Sequence, residues 1–430
     1  MFGLARTLAL PNRQSQDSLC WSLLVQRNSP PACHFDRMRT SAPPRIVCLS
    51  NVIEKRYHEL REEKVTPCLS WGKRRDLFKC LEMASGKEVV VLSSPPKALE
   101  RRGARWLEPL ETRFSTHRQL FCASWDAPKT RVPLSWLFYA RHALRHTRSG
   151  DLVVIDNYEL IYIIAVWLVR LFRRVTFVLD YEDGKHVIDR GLPRLLSALA
   201  ESAGKPLVRG ALLAHPALGK RLPEATPKAL VPGFIVPRKS TGGRPPDALV
   251  RFLYSGSLDE PRGVDLLLAA LPHLPERGWH LDITGSGPLS EQVTRFAREA
   301  RWGEKVVFHH SLPAEAYNRL VDTCQVGLNC QRSSDPVSGV TFPSKVFGYL
   351  SAGLLVVSSR ASGVEQICGK ACLYFDAETP EGLARAMADV AEDFTGARQR
   401  TDVGAVSRLY SMEGTVPRLK RFLEEIGFLR

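Results

Sequence analysis

The chain has 430 residues, room for two ordinary domains. Hydrophobic residues make up 44% and charged residues 24%, which excludes a disordered or fibrous chain. The net charge of +15 is uneven: residues 1–240 hold 39 Lys and Arg against 22 Asp and Glu, whereas residues 241–430 hold 21 against 23. The first half is therefore expected to meet an anionic partner, and a membrane surface fits that charge. No nucleic acid is expected, because no recognised nucleic-acid motif is present.

Residues 1–44 lack steady periodicity and read as a flexible leader, with Met38 as an alternative start. A first domain is expected over residues 45–236. Apolar runs at Arg45–Ser50, Glu88–Ser93, Asp151–Asp156 and Val175–Asp180 are its strands, with Ala211–Ala214 and Ala229–Val231 as shorter candidates. Asn51–Lys64 reads as a charged loop. Strands alternating with helices imply a parallel α/β sheet, whose active groups gather at the carboxyl ends of strands. That rule nominates Asn51, Asn157 and the acidic turn Glu182–Asp183, where either Asp183 or Glu182 can face a cleft between the domains. Leu160–Arg174 (LIYIIAVWLVRLFRR) is apolar almost throughout, which favours a helix buried on the sheet over one lying in a membrane interface. Its longest apolar run stops at Arg170, short of the roughly 20 residues that span a bilayer.

Residues 237–248, rich in Pro and Gly, read as a linker to a second domain over 249–430. Its expected strands are Phe252–Tyr254, Trp279–Thr284, Val306–His309, Val326–Asn329, Leu354–Val357 and Cys372–Phe375, with a final amphipathic helix at Leu419–Ile426. Turns follow three of the strands: Gly256–Gly263, Gly285–Pro288 (GSGP) and His309–Leu312. The run Ser338, Gly339, Val340 and Thr341 lets backbone come close to a ligand. Pro343 is placed to open a short helix and Gly353 to close it. Lys345, in the first turn, opposes the helix dipole, and a bound anion would turn that conflict into a binding site. The ten cysteines show no CxxC or Cys/His pattern, so reduced thiols in the cytoplasm and no metal site are expected.

Phe342–Val357 (FPSKVFGYLSAGLLVV), followed by Ser362-Gly363-Val364-Glu365, resembles the nucleotide-sugar site of retaining glycosyltransferase family 4, the group 1 glycosyl transferases. Members often read FPSK-x-FEYLA-x-G-x-PVV here. The resemblance implies the α/β GT-B fold, two facing Rossmann-like domains with the nucleotide sugar held by the second. It also implies sugar transfer, with retention, from a nucleoside diphosphate sugar to a glycan or polyprenyl-linked acceptor. The donor is a co-substrate, and no cofactor is implied. Bacterial surface polysaccharide biosynthesis is the implied setting, for a cytoplasmic protein peripheral on the inner face of the plasma membrane.

By the same resemblance, Arg262 and Lys345 hold the donor diphosphate, and Ser257 stands where the family carries an arginine. Gly285 and Gly287 belong to the loop beneath the nucleotide, and His310 to the segment whose backbone meets the base. Ser338, Gly339, Thr341 and Glu365 complete the expected donor contacts, and Asp183, or its neighbour Glu182, is a positioning carboxylate. The family's paired glutamates would fall at Val340 and Gly348, neither of them acidic. Glu365 is the candidate replacement acceptor. The alternative is a non-catalytic relative that binds a sugar nucleotide or a partner protein.

Overall fold

The computed structural model describes residues 42–53, 55–61, 71–96, 105–114, 117–126, 131–238, 249–361, 363–376 and 378–429. Nearly all of the leader, with Met38, lies outside them, as do residues 239–248 of the linker and Ser362. The unit Pro44–Arg430 is built on two sheets. Strands of the first half are β1 (Ile46–Leu49), β2 (Val89–Ser93), β3 (Arg105–Leu107), β4 (Leu110–Arg113), β5 (Arg118–Phe121), β6 (Ser124–Asp126), β7 (Leu152–Asp156), β8 (Thr176–Tyr181), β9 (Val208–Leu213) and β10 (Lys228–Leu230). Those of the second are β11 (Val250–Ser257), β12 (Trp279–Ser286), β13 (Val306–Phe308), β14 (Val326–Asn329), β15 (Leu355–Ser358) and β16 (Leu373–Tyr374). The first sheet runs β10-β9-β8-β7-β1-β2-β5-β4, and the second β13-β12-β11-β14-β15-β16.

Both sheets are covered on both faces, which is why their strands read as unbroken apolar runs. Every residue of β2 and β7 is buried. Leu77 and Leu81 of the helix Trp71–Ser85 cover one face of the first sheet, and Tyr139 and Val166 cover the other. In the second, Val264 and Leu383 lie on one face, and Val346 and Leu350 of the helix Ser344–Ser351 on the other. The pairs are parallel except β4 with β5, which is antiparallel, and β3 with β6 form a separate antiparallel ribbon.

Several expectations need correction. A helix, Lys55–Arg61, stands inside the stretch read as a charged loop. Pro343 caps its helix from just outside rather than opening it, and Gly353 follows its end with φ of 71°. The helix Leu160–Phe172 buries only one side, with Trp167, Leu171 and Phe172 exposed. The final helix spans Met412–Glu425 and packs on the first sheet instead of the second: Leu419, Phe422 and Leu423 join the cluster of Ile46, Cys48 and Leu77. Among the described residues, no helix is long and apolar enough to cross a membrane.

The second sheet encloses one carboxylate. Asp282, at the middle of β12, is fully buried and meets Arg251 at 2.9 Å, His309 at 2.7 Å and His280 at 3.3 Å. Burial alone would raise its pKa, but the histidine hydrogen bonds and the Arg251 charge hold it well below the usual carboxylate range. A depressed folded-state pKa contributes stability that is present above the unfolded value, about 3.9, and is lost as pH falls below it. Asp282→Asn should therefore cost about 3 kcal/mol at neutral pH, the low end for a broken buried pair because Arg251 keeps some solvent contact. The Asp282 contribution to the urea midpoint should be constant from pH 7 to about pH 5 and shrink only below about pH 4, so that the gap between parent and variant narrows as pH is taken down through about 3 toward 2.

Candidate functional site

The carboxyl ends of the two sheets border one cavity of about 310 Å³. Asp183, Ile188 and Asp189, which follow β8, form one wall. Asp259, Pro261 and Arg262, which follow β11, form another with Val337 and Thr341. A crevice outside strand carboxyl ends is where open α/β sheets bind ligands.

Next to these walls, the ends of β11 and β12 are laced together through backbone that does not itself line the cavity. Gly256 pairs with Gly285 and Ser257 with Ser286 at the ends of β11 and β12. Gly285 adopts φ of 143°, and a Cβ there would lie 1.8 Å from the Gly256 carbonyl oxygen. Its N–H donates to the His310 carbonyl at 2.9 Å. The Gly287 N–H donates to Ser290 Oγ at 2.9 Å. Both glycines thus permit close approach, and neither presents a spare N–H to the cavity. His310, with φ of 53°, uses its carbonyl on Gly285 and Thr284 and lays its ring on Phe308.

Lys345 is the anomaly of the site. Its Nζ is buried, lies 3.8 Å from the centroid of the Tyr254 ring, and has no hydrogen-bond partner among the described residues. Burial pushes the ammonium down to about 7; the nearby Cys330 opposes the fall and the Arg262 charge adds to it. The helix that carries it starts at Ser344, and Pro343 supplies no side-chain cap to its N–H groups. Arg262 holds its backbone N–H on Asp259, while its guanidinium makes no hydrogen bond or ion pair among the described residues. Arg262 lines the cavity; Lys345 does not, but its ammonium feels the charges of Arg262 and Asp259, so two cations near an uncapped helix start form an arrangement that suits a polyanion.

The other expected donor residues are placed unevenly. Ser257 bonds Asp259 at 2.6 Å and so braces the Arg262 turn. Ser338 is buried against Gln331, whereas Thr341 lines the cavity with its hydroxyl on the Val337 carbonyl. A Cβ at Gly339 would meet open space. Glu365 sits in the first turn of Val364–Cys368 and pairs with Arg360, which also holds Asp376 at 2.8 Å. That exposed network is not part of the cavity lining.

Val340 packs into the first domain with Tyr158, Leu179 and Tyr181, and a Cβ on Gly184 would meet it at 3.0 Å. An apolar contact between the halves thus stands at the position where the resembled family carries an acid. A Cβ on the exposed Gly348 would meet nothing within 4 Å.

On the first-domain side, Asn157 adopts φ of 53° and its Oδ1 accepts the N–H groups of both Glu182 and Asp183. Glu182 is tied to Lys73 at 2.6 Å, which leaves Asp183 on the cavity wall. Behind it Arg74 pairs with Asp156 at 2.6 Å and with Ser50; burial raises Asp156 to about 6 against the pull of Arg74. Asn51 accepts from Ser94 and does not line the cavity. Sequence reasoning missed Asp189 and Asp259. Asp259 lies in a turn already singled out, but Asp189 carried no signal of its own. Among the described residues, no group of three or more His, Cys, Asp or Glu side chains is placed to hold a metal ion.

Residues 250–393 match the family model described as glycosyl transferases group 1. Among curated proteins, the chain is 27% identical over 162 residues to a GDP-mannose-dependent alpha-(1-6)-phosphatidylinositol monomannoside mannosyltransferase of Mycolicibacterium smegmatis, which covers 35% of this chain and 40% of that one. It is 32% identical over 75 residues to a chitobiosyldiphosphodolichol beta-mannosyltransferase of Kluyveromyces lactis, covering 17% and 16%. The chain therefore spans less than half the length of these relatives. Sucrose-phosphate synthase from Thermosynechococcus elongatus superposes with a TM-score of 0.63 at 14% identity, over 89% of this chain and 99% of that one. An Anabaena protein in complex with UDP-glucose gives 0.60 at 12%, over 88% and 98%. The fold is GT-B.

Two glycines test this geometry in opposite directions. Gly348→Ala should raise stability by about 1 kcal/mol, since alanine is the better helix residue and its methyl meets open space. Titrations with UDP or GDP should be unchanged. Gly285→Ala should lower the melting temperature and abolish nucleotide binding, because the ends of β11 and β12 must part to admit the methyl group.

Proposed function

We propose that the protein is a retaining glycosyltransferase that moves a hexose-type sugar from a nucleoside diphosphate sugar to a glycan or polyprenyl-linked acceptor. The observation that carries this reading is the buried, unpartnered Lys345 ammonium at an uncapped helix start, with the Arg262 guanidinium nearby. An isolated buried cation is costly, and a diphosphate would repay that cost. As the sugar–phosphate bond breaks, negative charge grows on the leaving diphosphate. Lys345, Arg262 and the helix N–H groups would stabilise it there. Asp183 would orient the acceptor hydroxyl, whose proton passes to the leaving phosphate oxygen.

The family match supports the reaction class. Both curated relatives are named as mannosyltransferases, one of them GDP-mannose-dependent, and both names carry a lipid in the acceptor. GDP-mannose is therefore the first donor to try, and a lipid-linked glycan in surface polysaccharide assembly the first acceptor. One name specifies an alpha linkage and the other a beta linkage, so proton NMR of the product's anomeric configuration tests retention directly.

A second reading, a non-catalytic sugar-nucleotide binder, is favoured by one contact: Val340, at the position of the resembled family's acid, closes against Gly184. Nucleotide binding without donor turnover, across a panel of donors and acceptors, would decide for it.

Lys345→Ala should weaken nucleoside diphosphate binding by about 1.5–3 kcal/mol, the range for a lost hydrogen bond to a charged group. Because burial holds Lys345 near 7 before the ligand arrives, a diphosphate must reprotonate it at higher pH. Calorimetry at pH 8.5 in buffers of different ionisation enthalpy should show uptake of about one proton on binding, fading below pH 6. Affinity should fall as pH rises above 7. Unchanged binding in Lys345→Ala, with no proton uptake in the parent, would move the diphosphate elsewhere.

A further inference from the structure

The helix Gly191–Gly204 inverts the usual arrangement of an amphipathic helix. Leu192, Leu195, Leu196 and Leu199 follow the i, i+3, i+4, i+7 spacing that normally faces a core. Here all four face solvent, with Leu192 67% and Leu199 54% exposed. The helix is held from behind by Ala200, Glu201 and Gly204, its buried residues. Glu201 is tied to Arg221 and Lys205.

The helix Leu160–Phe172 lies beside it, joined by a hydrogen bond from Trp167 Nε1 to the Ala203 carbonyl at 3.2 Å. It adds exposed Trp167, Leu171 and Phe172, the last two 72% and 60% exposed. So many exposed apolar side chains on two adjoining helices mark a surface that something covers.

The charges identify what covers it. Arg170, Arg173, Arg174, Arg190 and Arg194, on these helices or flanking them, are exposed, and none pairs with a carboxylate among the described residues. Glu201 is the only acidic residue in either helix, and it is buried. A second copy would bring the same arginines face to face. An apolar stripe with a tryptophan and a rim of unpaired arginines fits the headgroup boundary of an anionic bilayer.

We propose that the leucine face of Gly191–Gly204, with the exposed end of Leu160–Phe172, docks this protein on an anionic lipid surface. The position of the face gives the docking a use. Ile188 and Asp189 line the cavity just before the helix begins, and Asp189 is bonded to Ser197 of the helix at 2.6 Å. A bilayer on this face would lie next to the cavity, so that a lipid-borne acceptor could be taken from it; that last step rests on the transfer reaction proposed above, while the docking does not.

The test is co-sedimentation of the full chain with phosphatidylcholine vesicles, with and without phosphatidylglycerol, across a salt series. The parent should bind the anionic vesicles, less so as salt rises. Leu195→Gln with Leu199→Gln should reduce partitioning roughly tenfold at every salt concentration. Arg170→Gln with Arg174→Gln should flatten the salt dependence. Both pairs should keep the parent's melting temperature and its affinity for nucleoside diphosphate. Parent-like vesicle binding by the leucine pair would overturn the proposal. So would a parent that ignores vesicles and sediments as a dimer that the leucine pair splits, which would assign the face to a second copy. Vesicle binding without sugar transfer would count against the transfer reaction and leave the docking standing.

Discussion

One ammonium group kept out of water shapes the cleft. Lys345 has an aromatic ring beneath it and a glycine backbone beside it, and no oxygen to bond. Such a group is expensive in isolation and stabilising once an anion arrives. Its placement requires the packing around it. The helix Ser344–Ser351 is pinned by Val346, Phe347 and Leu350 on the sheet, and the Tyr349 hydroxyl bonds the Ser255 backbone at 2.8 Å. The core of the second domain thus fixes the helix that carries the cation and keeps its Nζ out of bulk solvent until a ligand arrives.

The first domain contributes position more than charge to the cavity. Its cations Lys73 and Arg74 are spent on Glu182 and Asp156. The left-handed Asn157 then gathers the following turn and presents Asp183. Across the cleft, Val340 against Gly184 sets how closely the halves approach. A methyl group at 184 would need the Val340 side chain to give way by a few tenths of an ångström.

The parallel strands are legible in the sequence because both faces of each sheet are covered, so the apolar runs have no competing period. The helix around Lys345 is legible because Pro343 and Gly353 bracket it. What escapes sequence reading is whatever depends on a distant partner. The leucine spacing of Gly191–Gly204 is identical whether the stripe faces a core or solvent. The loop-like composition of Asn51–Lys64 conceals a short helix, and β4 pairs antiparallel through a hairpin that no turn motif announces. At the site, Arg262 and Lys345 were readable as cations, but not that one would be buried without a partner. Nor could the sequence show that Glu365 would be held by Arg360 away from the cavity lining.

The return of the final helix to the first sheet has a consequence for synthesis. Domains generally fold as they leave the ribosome, the amino-terminal one first. Here Leu419, Phe422, Leu423 and Ile426 complete the cluster around β1 and β2, and Gly210 on β9 is left without a side chain where Ile426 and Phe422 press in. The half that is translated first therefore waits for residues 419–426, which follow the second sheet, before its core can close. Until then it carries an open apolar face through the whole translation of the second sheet, and a ribosome that stops short of residue 419 releases a chain whose later half is the better folded one.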